Sequence, residues 1–232
     1  NWSEAEETCD PIWGPSGSPV SGWTTDLPDL DDETAHADLY DVWAGPNSMQ
    51  LGMRFLAKLE SWGWDREVWD QIDCEWQGVP VEECQLWYRT NVLAQDEEGT
   101  FPFVGAYYST ASGIYMGQGE RSDTSFDGDI VVHEIGHHVT RGYGTPEPTE
   151  MIIDRNRRIV DRQSINEGSS DFFARQMTSN DRIYDYFTTL EPGIYVGQRI
   201  RDVSIDFRCP EHLSGETHMD GRIWVSALRD VQ

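Results

Sequence analysis

Residues 129–140 read DIVVHEIGHHVT, and a pair of histidines four residues apart within them constrains this chain more than any other feature. At about 100° per residue, a four-residue step along a helix returns to nearly the same face. His133 and His137 therefore stand one turn apart on one side of a predicted helix, where two imidazoles can grip a single metal ion. Zinc suits two neutral imidazoles, and a catalytic zinc takes three protein ligands so that a water can fill the fourth position. Glu134 lies beside the first ligand, where a carboxylate can take a proton from such a water. The fold must then bring a third ligand to the face that His133 and His137 share. Alone, the five-residue pattern also fits a helix with solvated His and Glu.

A second segment raises the specificity. Asn166-Glu167-Gly168-Ser169-Ser170-Asp171 opens another predicted helix, with 29 residues between His137 and Glu167. Glu167 is the candidate third ligand. Asp171 lies one turn on along the same face, from where a carboxylate can orient a ligand imidazole through its free N–H, and Asn166 belongs to the same supporting group. By itself NEGSSD would be an ordinary acidic helix start; downstream of His-Glu-x-x-His it makes chance agreement improbable.

DIVVHEIGHHVT followed by INEGSSDFFA resembles the thermolysin and fungalysin group of gluzincin zinc metallopeptidases. Upstream, GAYYSTASGIYMGQG is similar to that group's edge strand, which binds a peptide substrate as an added strand, with Gly105, Ala106 and Tyr107 in that place. Downstream, THMDGRIWVSALRDV is similar to the segment carrying a transition-state histidine. The resemblance spans roughly residues 101–232, with a looser likeness over residues 33–60. It implies a protein or peptide substrate, Zn2+ on His133, His137 and Glu167, and Glu134 as general base. It makes His218 a donor to the developing oxyanion, whose charge a positioned imidazole N–H stabilises. Tyr143 is its candidate for a tyrosine partner of that oxyanion, from a connection of different length. Gly105 departs from the group's usual Asn, which bonds the substrate backbone. Asp129 matches a calcium ligand, but Thr178 stands where a ligating Glu is expected. A full double-calcium site is therefore not expected, and Ca2+ elsewhere stays open.

Forty-two acidic against 17 basic side chains give a net charge of −25, a field that repels nucleic acid and anionic membrane. No apolar run approaches a membrane span, and the N-terminus lacks a signal peptide's pattern, as in a mature exported product. Cys74 and Cys84 bracket a short acidic segment and would close a small loop, leaving Cys9 and Cys209 to pair. The expected location is secreted, extracellular or in the cell envelope.

Residues 1–30 read as an irregular arm rich in Pro, Gly, Ser and Asp. Helical spacing runs from Asp31 to about Trp62, with a break or kink expected at Gly45-Pro46. Strands are expected at 85–94, 101–109 and 114–119, and helices at 129–140, 166–177 and 221–231. Residues 150–162 carry an Arg-dense patch (Arg155, Arg157, Arg158, Arg162) suited to salt bridges with the acidic surface. The strand-rich first half and helical second half indicate an α+β fold. With the resemblance, this becomes a two-lobed zincin. Residues 31–145 form a strand-rich lobe including the ligand helix at the cleft floor, and residues 146–232 a helical lobe that looks incomplete.

His138, His36 and His212 are expected to be structural or solvated, and the tryptophans to belong to the core. Near the C-terminus, Ile223, Trp224, Ala227 and Leu228 form an apolar stripe with no stop signal after it. The expectation is that later residues, or a second polypeptide completing the helical lobe, cover it. Three functions fit: a secreted zinc-dependent endopeptidase, a non-catalytic zincin-fold binding or scaffold protein, and a zinc amidohydrolase of narrow specificity. The intact base and ligand set argue for the first.

Overall fold

The computed structural model describes residues 33–64, 75–76, 79–80, 88–96, 99–109, 113–119, 123–142, 151–153, 159–186 and 200–231. The expected N-terminal arm, Tyr143, Cys9, Cys74, Cys84 and the arginines at 155, 157 and 158 lie outside the described residues. Of the break or kink expected at Gly45-Pro46, the break does not occur: helix α1 (Glu33–Ser61) continues through Pro46. Ala44, Ser48, Phe55 and Leu59 are buried, at spacings of four and seven residues that share one face. That face packs on the ligand helix and the sheet, and this tertiary contact offsets the hydrogen bond that proline forfeits.

The sheet has strand order β4-β3-β6-β5, from β3 (Tyr88–Asp96), β4 (Gly99–Pro102), β5 (Ala106–Ser109) and β6 (Gly113–Gly117). β3 and β6 are parallel; the other pairings are antiparallel. The single strand expected over 101–109 is thus two strands on opposite edges. Pro102 lacks an N–H to continue a ladder, and the chain crosses through Phe103, Val104 and Gly105 to the far side. Ile114 and Met116 of β6 face the core with no exposure, while Tyr115 points the other way and stacks on Tyr107.

Helix α2 (Gly128–Gly142) is the central element. It packs on α1, on β5 and β6, and on α3 (Arg162–Thr178), which in turn packs on α4 (Thr217–Asp230). Its Ile130, Val131, Ile135 and Val139 join Phe55, Ile114 and Met116 in one core. The Arg-dense segment holds an antiparallel pair, β7 (Met151–Ile153) and β8 (Ile159–Asp161), which leads straight into α3. Two other short ladders are β1 (Glu75–Trp76) with β2 (Val79–Pro80), and β9 (Arg182–Ile183) with β10 (Arg201–Asp202). Helices and small, mostly antiparallel sheets occur together among the described residues, an α+β composition, with the four-stranded sheet before α2 and only two-stranded ladders after it.

Trp62 and Trp224 are exposed, against the expectation of core tryptophans, whereas Trp64 is partly buried and packs against the core of Ile, Val and Met side chains. On α4, Val225 and Ser226 are buried whereas Trp224 and Ala227 face outward, so the predicted stripe lies largely on the outer side. Cys209 is exposed and forms no disulfide among the described residues. No described helix is long and apolar enough to cross a membrane.

Candidate metal centre

Two close helix contacts build the site. An ideal Cβ on Gly136 of α2 would lie 2.9 Å from Ser170 Cα of α3, so only glycine permits this approach. One helix further out, Gly168 of α3 and Gly221 of α4 face each other backbone to backbone; a Cβ on Gly221 would lie 2.9 Å from the Gly168 nitrogen. The first contact brings Glu167 to His133 and His137, and the second brings His218 to Glu167. Asp127 caps α2 by accepting from the Asp129 and Ile130 amides at 3.0 and 3.3 Å.

His133 Nε2 lies 3.0 Å from His137 Nε2 and 3.1 Å from Glu167 Oε2; His137 Nε2 lies 3.5 Å from the same oxygen. Ligands about 2.0–2.1 Å from a tetrahedral zinc stand about 3.3 Å apart, close to all three spacings. The outer nitrogens are already engaged. His133 Nδ1–H donates to Asp171 Oδ1 at 2.8 Å, and His137 Nδ1 lies 3.1 Å from Ser170 Oγ. In the neutral imidazoles, with both Nδ1 atoms protonated, each Nε2 presents a lone pair toward the buried Glu167 Oε2. Three electron-rich atoms facing one point repel unless a proton or a metal cation lies between them. His133, His137 and Glu167 can therefore hold a metal ion, and they are the one such group of three among the described residues.

The surrounding charges fit a cation. Burial disfavours the Glu167 carboxylate, but the two imidazoles outweigh it and hold its pKa well below the usual range. Burial also works against charge on His133. The charge and hydrogen bond of Asp171 and the bond to Glu167 nevertheless raise its pKa to about 9, so these carboxylates favour a positive occupant. Glu134 is buried, with Oε2 lacking a hydrogen-bond partner. Burial pushes its pKa up, the histidines pull it down, Glu167 adds to the rise, and the net direction is upward.

The other expected residues fall variously. Asp171 holds His133, as expected of a ligand-orienting carboxylate. Asn166 Oδ1 accepts from Thr140 Oγ1 at 2.5 Å and so braces α3 on α2 without touching a ligand. His218 Nε2 lies 3.5 Å from Glu167 Oε2 at a half-exposed position, and Glu216 Oε1 fixes its Nδ1 at 2.7 Å. Ala106 and Tyr107 lie on β5, an edge of the sheet beside α2; the Gly105 carbonyl accepts from Gly117 N and is turned into the sheet. Asp129 is occupied by Thr178 Oγ1 at 2.5 Å and Asn180 Nδ2 at 2.6 Å. His138 is buried, with Nδ1 2.9 Å from the Tyr108 hydroxyl, and His212 Nδ1 accepts from Arg208 N, so both are structural.

Two residues had no signal in the sequence. Arg201 of β10 is buried, and its Nε and Nη2 form a fork on Asp171 at 2.6 and 2.5 Å. Tyr184 places its ring edge to face against His133, with centroids 5.7 Å apart, and under the Arg201 guanidinium at 4.4 Å. No protein-family model, curated protein or solved structure matches the chain.

Proposed function

We propose that this protein is a zinc-dependent endopeptidase with a two-lobed zincin arrangement, related to the thermolysin and fungalysin group. The observation that carries this reading is the buried convergence of His133 Nε2, His137 Nε2 and Glu167 Oε2 within 3.5 Å, beside a carboxylate with an unpartnered oxygen. A bound zinc supplies a Lewis acid that makes water acidic near neutral pH. Glu134 takes the proton from the attacking water as its oxygen bonds to the scissile carbonyl carbon. As the C–N bond breaks, Glu134 passes that proton to the leaving amine. Its upward-shifted pKa suits a group that must both accept and return a proton. His218, held through Nδ1 by Glu216, faces the cluster and donates to the developing oxyanion. Among the described residues β5 is an edge strand of the sheet, the kind of place where an extended peptide can add, which favours peptide over compact amide substrates.

Secretion is part of this proposal and rests on the pairing of Cys74 with Cys84 expected from the sequence, which non-reduced peptide mapping tests: free thiols at Cys74 and Cys84 contradict it. The outward Trp224 and Ala227 suit a covering polypeptide, and a denaturing gel of active material tests for one. The function itself is tested by digesting casein or a peptide library with and without a chelator, and with Glu134→Gln. Cleavage should require the metal. Glu134→Gln should keep the zinc and lose nearly all turnover, because glutamine is nearly isosteric but cannot accept the proton. A variant that keeps its rate removes Glu134 from the mechanism.

A further inference from the structure

Tyr184 has φ 72°, in the left-handed region that a bulky side chain rarely occupies. It directly follows β9, whose Ile183 is fully buried and pairs with Arg201 of β10. The two short strands therefore hold the strained residue beside Arg201, and the turn aims its ring at the metal centre. Its ring contacts include the edge-to-face packing on His133 and the guanidinium 4.4 Å from the ring centroid. Through its fork, Arg201 holds Asp171, and Asp171 holds His133 Nδ1. Tyr184, Arg201, Asp171 and His133 thus form a closed circuit around one ligand.

The circuit resolves a competition. The Arg201 guanidinium also lies within the field of Glu167 and Glu134. A planar fork fits any carboxylate, so its seat on Asp171 rather than on Glu167 or Glu134 needs a physical cause. We propose that Tyr184 is a positioning residue for the metal site: its ring fixes the Arg201 guanidinium on Asp171 and keeps it off Glu167 and Glu134. Asp171 then orients His133, Glu167 stays available as a ligand, and Glu134 as a base. The strained backbone persists because the ring must reach this place.

The inference rests on the metal reading, so zinc affinity is measured directly, by competition with a chromophoric chelator on metal-stripped, reloaded protein. Tyr184→Phe keeps the ring and should bind within about twofold of wild type. Tyr184→Asn removes the ring, yet asparagine tolerates positive φ, so the variant should fold; its affinity should fall about 10–100-fold, as when outer partners of a ligand are lost. Because Tyr184 acts chiefly through Arg201, Tyr184→Asn combined with Arg201→Met should lose clearly less affinity than the two single losses added. If the asparagine variant does not fold, Tyr184→Leu, which has bulk without a π face, should show the same loss. Wild-type affinity in the ring-deleted variant, or additive losses in the double variant, overturns the proposal. Absence of zinc binding by the wild type overturns the metal reading and this inference together.

Discussion

Gly136→Ala tests whether the α2–α3 approach sets the metal centre. The added Cβ would meet Ser170 Cα and Oγ at 2.9 Å and Ser170 Cβ at 3.1 Å. Rotating the hydroxyl relieves one of these, but Cα is the backbone of α3. Ordinary contact begins at 3.4 Å, so 3.4 − 2.9 leaves a shift of about 0.5 Å for the helices to make. Alanine's better helix propensity returns about 1 kcal/mol, against about 1–3 kcal/mol for overpacking. The net is a loss of up to about 2 kcal/mol, which lowers Tm by up to about 8 °C in a chain of this size. Glu167 and Asp171 ride on α3, so the same shift disturbs ligands spaced 3.0–3.5 Å apart and should weaken zinc binding about tenfold. Thermal unfolding and chelator competition are the assays. Gly128→Ala is the control, because its nearest neighbours lie at 3.5 and 4.0 Å and its Cβ fits. A Gly136→Ala protein that matches this control in Tm and wild type in affinity would falsify the close-approach argument.

His218→Ala should lower kcat by about 10²–10³, as loss of an oxyanion donor does, with unchanged zinc content; an unaltered rate removes His218 from the site. In metal-free protein, burial disfavours protonated His133 but Asp171 and Glu167 outweigh it, raising the pKa to about 9 from 6.5. A raised histidine pKa stabilises the fold fully below pH 6.5, and that stabilisation is lost as pH climbs through 9. The 2.5-unit span is worth on the order of 3 kcal/mol. Denaturant unfolding at pH 6 and pH 10 should show that loss, and a flat profile contradicts it. Asn180→Ala deletes donations to Asp129 at 2.6 Å, the Arg182 carbonyl at 3.0 Å and Asp185 at 3.2 Å. With Asp129 only 4% exposed, the cost should be about 1–3 kcal/mol, and an unchanged denaturation midpoint would show that the contact contributes nothing.

What the sequence determined by itself is local. The four-residue steps from His133 to His137 and from Glu167 to Asp171 place each pair on one helix face, because helical periodicity is written into the spacing. The same periodicity marks α4, and the density of aromatic and β-branched residues marks β3, β5 and β6. Pro46 and the 101–109 segment show the limit of local rules. A buried face kept α1 continuous through a proline, and sheet order divided one apparent strand between two edges. Which residues meet was decided by tertiary structure alone. Arg201 lies 30 residues beyond Asp171 and belongs to no motif, yet its fork holds the carboxylate that contacts His133. Tyr184 enters through a positive φ that nothing in Arg-Ile-Tyr-Asp announces. The physical reason is that these contacts depend on how near two helix backbones come. That distance is set where Gly136 meets Ser170 and where Gly168 meets Gly221, positions far apart in the chain that only the packed fold brings together.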